Sequence, residues 1–291
     1  MVRPRVGVAV LTRGDRMPEL LALLASVAEQ DEPATRVVVV GNGTALPGLP
    51  QDVIAVELEE NLGVSGGRNV AWHRLRESGD VDVLVDLDDD GLLIEADVFR
   101  RIADLYEADR RLGIVSFRIA DERGDTQRRH LPRLGAGDPM RRGLVTTFLG
   151  GGHALSMPML EETGGWPEAF FFTHEETDLA WRAVDRGWDI LYEPKLVLQH
   201  PKTSPARHAV YYRMTARNRV WLAKRHLPAA LVPVYLASWA AYTLLQRPPL
   251  AGLKSWWAGF FEGVRVPCPP RRPMRWRTVW RMTRLGRPPV I

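Results

Sequence analysis

Cysteine is almost absent from this 291-residue chain: Cys268 stands alone. One thiol excludes an intramolecular disulfide and any zinc module built on several cysteines. It fits a reducing compartment. Acidic residues are nearly missing from one end. Residues 194–291 hold 18 Lys and Arg against the one acid Glu262, a net charge of +17, whereas residues 1–193 hold 21 against 34, a net −13. Long apolar runs are scarce as well. The N-terminal MVRPRVGVAVLTRGDR has too short an apolar run for a signal peptide and no small-residue cleavage site, so a cytoplasmic location is expected. A charge-free stretch at 227–246 has the length to cross a bilayer, but it contains Pro228, Pro233, Ser238, Thr243 and Gln246. An interfacial helix, a packed helix and a true span all stay open for it. No internal repeat is present. What remains, 45 % hydrophobic and 25 % charged, is ordinary globular material of a length that buries a sizeable core.

Strand and helix patterns alternate through the first 120 residues. Apolar or alternating runs predict strands at 5–11, 36–40, 53–58, 81–87 and 113–119. Helical spacing predicts helices at 17–29, 66–77 and 95–109. Residues 175–187 form a further expected helix closed by Gly187, and 188–198 a last strand or turn. This order predicts an α/β fold with a mostly parallel sheet flanked by helices, which binds ligands at the carboxyl ends of its strands. Residues 121–149 lack a period and hold six arginines and one histidine, which reads as a mobile or inserted segment. From about 207 the pattern turns helical and basic, and it carries six of the ten tryptophans.

Four groups of residues point to chemistry. Asp88-Asp89-Asp90 follows an apolar strand directly. Three adjacent carboxylates repel one another unless a cation neutralises them, and such oxygens suit Mg2+ or Mn2+. A solvated acidic turn is the plainer alternative. His174-Glu175-Glu176-Thr177-Asp178 opens a helix. Acids are favoured there by the helix dipole, and a carboxylate general base would stand there equally well. His200 ends an apolar run before Pro201, as a structural histidine or a metal ligand. Asn61-Leu62-Gly63-Val64-Ser65-Gly66-Gly67-Arg68-Asn69 offers small residues to a diphosphate and a guanidinium to pair with it. Its glycine spacing is wrong for a dinucleotide fingerprint.

In order and spacing, the segments VGVAVLTRGDR, VVVVGNGT, ENLGVSGGRN, VLVDLDDDG, GGGHALSMPMLEETGGWPEAFFFTHEETDLAWRAVDRGW and LVLQH, spread over about residues 5–200, resemble the family 2 inverting glycosyltransferases of GT-A fold. The rhamnosyl- and galactofuranosyl-transferase branch is the most similar in character. The resemblance implies roles. Asp88 and Asp90 match the DXD metal motif, and His200 matches a histidine that joins the metal in some members. Glu176 matches the usual base, with Glu175 and Asp178 as supporting groups. Thr12, Arg13 and Asp15 lie in the first nucleotide loop, Arg68 and Asn69 in the second, with Asp88 and Asp89 also on the donor, and Gly151 and Gly152 line the donor-sugar side. A divalent cation, Mg2+ or Mn2+, is the implied cofactor.

One position departs from the pattern. The family's second strand normally ends in an Asp that reads the nucleobase, and here Gly41 and Asn42 stand there. An amide both donates and accepts, so Asn42 is the expected substitute, with a UDP- or dTDP-sugar as the favoured donor. The resemblance divides the chain into a catalytic domain at 1–205 and a basic, Trp-rich helical region at 206–291, with a membrane-surface or packing role. Arginines beside tryptophans suit an anionic leaflet, so a peripheral site on the inner face of the cytoplasmic membrane and a cell-envelope or lipid-linked acceptor are expected. The competing readings are a small soluble natural-product acceptor, a sugar nucleotidyltransferase, and a non-catalytic polyanion binder. Nucleic acid is not expected as a partner.

Overall fold

The computed structural model describes residues 3–135, 137–201, 209–246 and 248–290. Its first half reproduces the expected alternation: β1 (Val6–Thr12), α1 (Met17–Ala28), β2 (Arg36–Gly41), β3 (Ile54–Glu57), α2 (Gly63–Ser78), β4 (Val83–Asp88), β5 (Leu92–Leu93), α3 (Val98–Ala108) and β6 (Leu112–Ala120). It continues through β7 (Gly143–Leu144), β8 (Gly152–Ser156), α4 (Met157–Thr163), α5 (Glu175–Arg186) and β9 (Asp189–Gln199). The helices α6 (Ala209–His226), α7 (Val232–Leu245), α8 (Leu250–Arg265) and α9 (Trp276–Arg284) follow. The expected start of the helix at 207 and the division at 205/206 lie outside the described residues.

Among the described residues the strands form one sheet in the order β3-β2-β1-β4-β8-β6-β9-β5, with β7 paired to β9. Parallel pairings join β3, β2, β1 and β4, and join β6 to β9. β8 enters antiparallel between β4 and β6, so six of the nine strands share one direction and the sheet is mostly parallel. The near-continuous Val and Leu runs of β1, β2 and β4 follow from this, because a central parallel strand is covered on both faces. One buried cluster joins α1 and α3 to the sheet; the other joins α2, α4 and α5 to its opposite side.

The second cluster also takes in Trp221, Leu222, Ala223 and Leu227, Tyr235 of α7, and Val279 and Met282 of α9. The basic region is therefore packed into the same core as α5 and β9. Part of its charge is spent there: Arg225 meets Asp178, Arg275 meets Asp185, and Arg281 meets Asp189. The charge-free stretch 227–246 breaks into a short 3₁₀ turn at Ala229–Leu231 and the 14-residue α7. That helix is about 21 Å long against a ~30 Å hydrocarbon core. Among the described residues no helix is long and apolar enough to cross a membrane. The segment read as mobile or inserted is anchored at its far end, where β7 pairs with β9 and Val145, Thr146 and Phe148 are buried.

Candidate active site

The carboxyl ends of β1, β2 and β4 open onto a pocket of about 500 Å³. This is within the size range of small-molecule sites. In the β1–β4 register, Leu11 faces Asp88, so the loop after β1 lies beside the acidic triplet. Thr12 Oγ1 accepts the Gly14 N–H at 3.0 Å. Arg13 and Asp15 line the pocket together with Asp88, Asp89 and Arg68. Phe171, Phe172 and Tyr211 form an aromatic wall.

Asp88, Asp90 and His200 meet at the end of β4 and β9, with one ligand-type atom of each within 4.8 Å of the others. His200 Nε2 is 3.0 Å from Asp90 and 3.8 Å from Asp88. Its Nδ1 faces the Pro201 carbonyl oxygen at 2.8 Å. A backbone acceptor there fixes a proton on Nδ1 and turns Nε2 toward Asp90 and Asp88, an orientation common for metal-bound histidines. Asp88 lines the pocket with 41 % of its side chain exposed. Two carboxylates and an imidazole turned toward one point fit a divalent cation. Arg16, which the sequence reading passed over, pairs with Asp90 and lies 3.7 Å from Asp89.

Arg68 is the hub of the acidic groups. It is 5 % exposed, and its guanidinium faces Asp86 at 2.7 Å, Glu176 at 3.7 Å, Asp88 at 3.8 Å and Glu175 at 3.8 Å. Its NH2 group also donates to the Gly150 carbonyl at 2.7 Å. Burial opposes its charge, but Asp86, Glu176, Asp88 and Glu175 together hold it firmly protonated. Burial pushes Asp86 up to about 7 despite Arg68. His153, also buried, is 3.6 Å from Asp86; burial and then Arg68 keep it neutral. Glu175 is buried, and burial followed by the charge of Glu176 raises its carboxyl well above the ordinary range. Glu176 keeps 21 % of its side chain exposed. A Cβ at Gly150 would collide with the Glu176 carboxylate, and one at Gly151 would come within 3.1 Å of Asp88. The backbone before β8 thus approaches both carboxylates closely, and Gly152 continues into the strand beneath.

Three of the expected residues serve the scaffold in this structure. Asn42 accepts the Leu62 N–H at 2.8 Å and donates to the Gly63 carbonyl at 3.0 Å. Both ends of its amide are committed to holding the start of α2. Asn69 donates to Trp166 and Glu168 and accepts the Trp166 N–H, which ties α2 to the segment after α4. Asp178 is fully buried between Arg182 at 2.7 Å, Arg225 at 3.0 Å and His226 at 2.5 Å. Burial alone would raise it, but Arg182, His226 and Arg225 hold it well below the usual carboxylate range. It binds α5 to α6 and does not line the pocket.

Asp86 and Asn218 are the further residues that matter. Asp86 was open to inference, since strand alternation puts it on the face of Asp88. Asn218 was not. Its buried amide donates to the carbonyls of Phe170, Phe172 and Thr173 at 2.8–3.0 Å. Those bonds hold a loop in which Phe171, Thr173 and His174 all have positive φ, near 63–69°. Such backbone costs on the order of 1–3 kcal/mol per residue, and here it leads straight into Glu175 and Glu176.

No known protein-family profile matches the chain, and no curated protein sequence matches it. Solved structures do resemble it. Mannosyltransferase PcManGT from Pyrobaculum calidifontis, in complex with GDP-Man and Mn2+, matches at TM-score 0.59 and 20 % identity, over 92 % of this chain and 78 % of that one. S. aureus TarS 1–349 in complex with UDP-GlcNAc matches at 0.60 and 16 %, over 89 % and 81 %. GalNAc-T7 with UDP, GalNAc and Mn2+ matches at 0.64 and 14 %, over 92 % of this chain but 59 % of that one. At 14–20 % identity these likenesses establish the fold, which is of GT-A type.

Proposed function

We propose that this chain is a metal-dependent inverting glycosyltransferase, of the family 2 kind, that moves a sugar from a nucleotide-diphosphate donor to an acceptor hydroxyl. The observation that carries the reading is the arrangement around Arg68: Asp88 of the Asp88/Asp90/His200 cluster and Glu176 converge on one guanidinium beside a 500 Å³ pocket. The fold shared with structures holding GDP-Man, UDP and UDP-GlcNAc supports it. Asp88, Asp90 and His200 would hold Mg2+ or Mn2+, whose chemistry there is neutralisation of the leaving diphosphate. Glu176 takes the proton from the acceptor hydroxyl, which attacks the anomeric carbon from the face opposite the diphosphate and inverts it. Arg68 keeps the two acids in register. Thr12, Arg13 and Asp15 face the nucleoside, with Phe171, Phe172 and Tyr211 opposite. UDP- and dTDP-sugars remain the favoured donors. With the Asn42 amide committed to backbone, base selection falls to other groups of the pocket.

The test is a panel of nucleotide sugars titrated with and without Mn2+ or Mg2+, on the parent and on Asp90→Ala. Metal-dependent binding of one donor class is expected for the parent, weakened at least tenfold in the variant with the melting temperature of the metal-free protein little changed. Equal donor affinity in both proteins, with and without Mn2+, would sink the assignment.

We further propose that the enzyme docks on the inner face of the cytoplasmic membrane to meet a lipid-linked or envelope acceptor. Support comes from side chains that the core leaves outside. Trp276 and Trp280 are 52 % and 60 % exposed on α9, one helical turn apart, next to exposed Arg277 and Arg284. Leu245 and Leu250 are 79 % exposed at the α7–α8 junction. Each basic residue near an anionic leaflet contributes roughly 1 kcal/mol. The full chain is expected to sediment with vesicles in proportion to their anionic lipid content, and Trp276→Ser with Trp280→Ser to lose most of that. A full chain that stays in the supernatant at low salt would favour the small soluble acceptor.

A further inference from the structure

A second cavity, of about 50 Å³, adjoins the first turn of α5 and is separate from the pocket described above. His174 lines it from that turn, Thr146 from the segment before β8, Arg219 from α6, Tyr235 and Trp239 from α7, and Arg287 from the segment after α9. Its chemistry is one-sided. Arg219 stacks on Trp239, its guanidinium carbon 3.2 Å from the ring centroid, and shares the cavity wall with Tyr235. Among the described residues neither the Arg219 nor the Arg287 guanidinium has a carboxylate partner. Among the described residues the guanidiniums of Arg68, Arg182 and Arg225, also near α5, do have carboxylate partners: Arg68 has four, and Arg182 and Arg225 share Asp178, whereas Arg219 and Arg287 are half-buried without one.

The neutral groups tell the same story. Thr146 is 1 % exposed, and its Oγ1 has no hydrogen-bond partner. His174 Nε2 and Trp239 Nε1 are likewise buried without partners. Burial, then Arg219 and Arg287, keep His174 uncharged. Buried polar groups are nearly always satisfied, so several orphans around one cavity mark a missing partner. Hydroxyl and indole N–H donors with two guanidiniums call for an acceptor carrying negative charge. One water needs roughly 10–15 Å³ of such space and ligand pockets run to about 300–1,000 Å³, so this cavity holds more than one water and is far smaller than a nucleotide or sugar site.

We propose that this cavity binds a small monovalent inorganic anion, of the size of chloride or bicarbonate. The anion ties Arg287 and Arg219 to the turn of α5 that carries Glu176, and so fastens the end of the basic region to the catalytic helix. This binding is independent of the donor-site reading and is measured without any donor.

The experiment uses the full chain in two readouts. Crystals grown in sodium bromide are expected to show an anomalous peak between Arg219 and Arg287. In solution, the melting temperature is expected to rise as chloride or bicarbonate replaces gluconate, too large for the cavity, at constant ionic strength. Whichever of the two saturates at lower concentration is the favoured occupant. Arg287→Met is expected to raise the half-saturating anion concentration at least tenfold, and Thr146→Val severalfold, whereas Arg272→Met on the exposed surface leaves it unchanged. Should Arg287→Met fail to fold, Thr146→Val carries the same comparison. Water in place of bromide in the cavity, identical melting in gluconate and chloride, or a parental anion response in both cavity variants overturns the proposal.

Discussion

Glu176→Gln is expected to lower sugar transfer by a hundredfold or more while leaving donor and Mn2+ affinity at parental values. Three acids stand at the start of α5, and their surroundings separate them. Asp178 is 0 % exposed and fully used by Arg182, Arg225 and His226. Glu175 is 3 % exposed, and its burial and the neighbouring Glu176 charge hold its proton. Glu176 alone keeps an open carboxylate, 3.7 Å from the guanidinium that also faces Asp88. Loss of a positioned general base costs typically a hundred- to ten-thousandfold. Glutamine keeps the shape and the contact with Arg68 but accepts no proton. Transfer kinetics and calorimetric donor titration on the same preparation decide it. A parental rate for Glu176→Gln beside a dead Glu175→Gln would move the base to Glu175.

Much of this site was legible in the sequence, for a specific reason. In a mostly parallel sheet the strand ends converge, so an apolar run that breaks into Asp88-Asp89-Asp90 and another that breaks at His200 predict a common edge. β4 and β9 bear that out, and Asp90 and His200 stand 3.0 Å apart. The hub function of Arg68 was not legible. Its partners Asp86, Asp88, Glu175 and Glu176 come from distant segments, and nothing local in NLGVSGGRN distinguishes a guanidinium bound for four carboxylates from one bound for a diphosphate. β8 was not among the expected strands; its strand form depends on pairing with β4 and β6. Asn218 sits mid-helix in a run of arginines, and its worth lies in a loop more than forty residues away. Asp178 is the instructive case. Helix periodicity places residues 175, 178, 179 and 182 on one face, and that face is buried throughout. Grouping HEETD as one motif ignored the turn of the helix, which leaves Glu176 at the open edge.

That rotation carries the second large effect. Asp178→Asn is expected to destabilise the protein by about 3–5 kcal/mol, the range for breaking a buried charge network by removing one partner. The substitution leaves Arg182 and Arg225 facing each other in the core with no counter-charge, and puts an amide NH2 where one of the two accepting oxygens stood. In a chain of this size the melting temperature is expected to fall by on the order of 10 °C. The pH dependence identifies the cause. Asp178 titrates lower folded than unfolded, so the stability it contributes is fully present above the ordinary carboxylate range and is lost as pH falls. The gap between parent and variant is therefore expected to be widest near neutrality and to close below about pH 4. Transfer per folded molecule, assayed well below the variant's melting temperature, is expected to stay within a few-fold of the parent. A variant as stable as the parent but inactive would put Asp178 into the chemistry and make Glu176 the supporting group. A stability gap that persists unchanged into acid would mean that packing, and not the carboxylate's charge, holds α5 to α6.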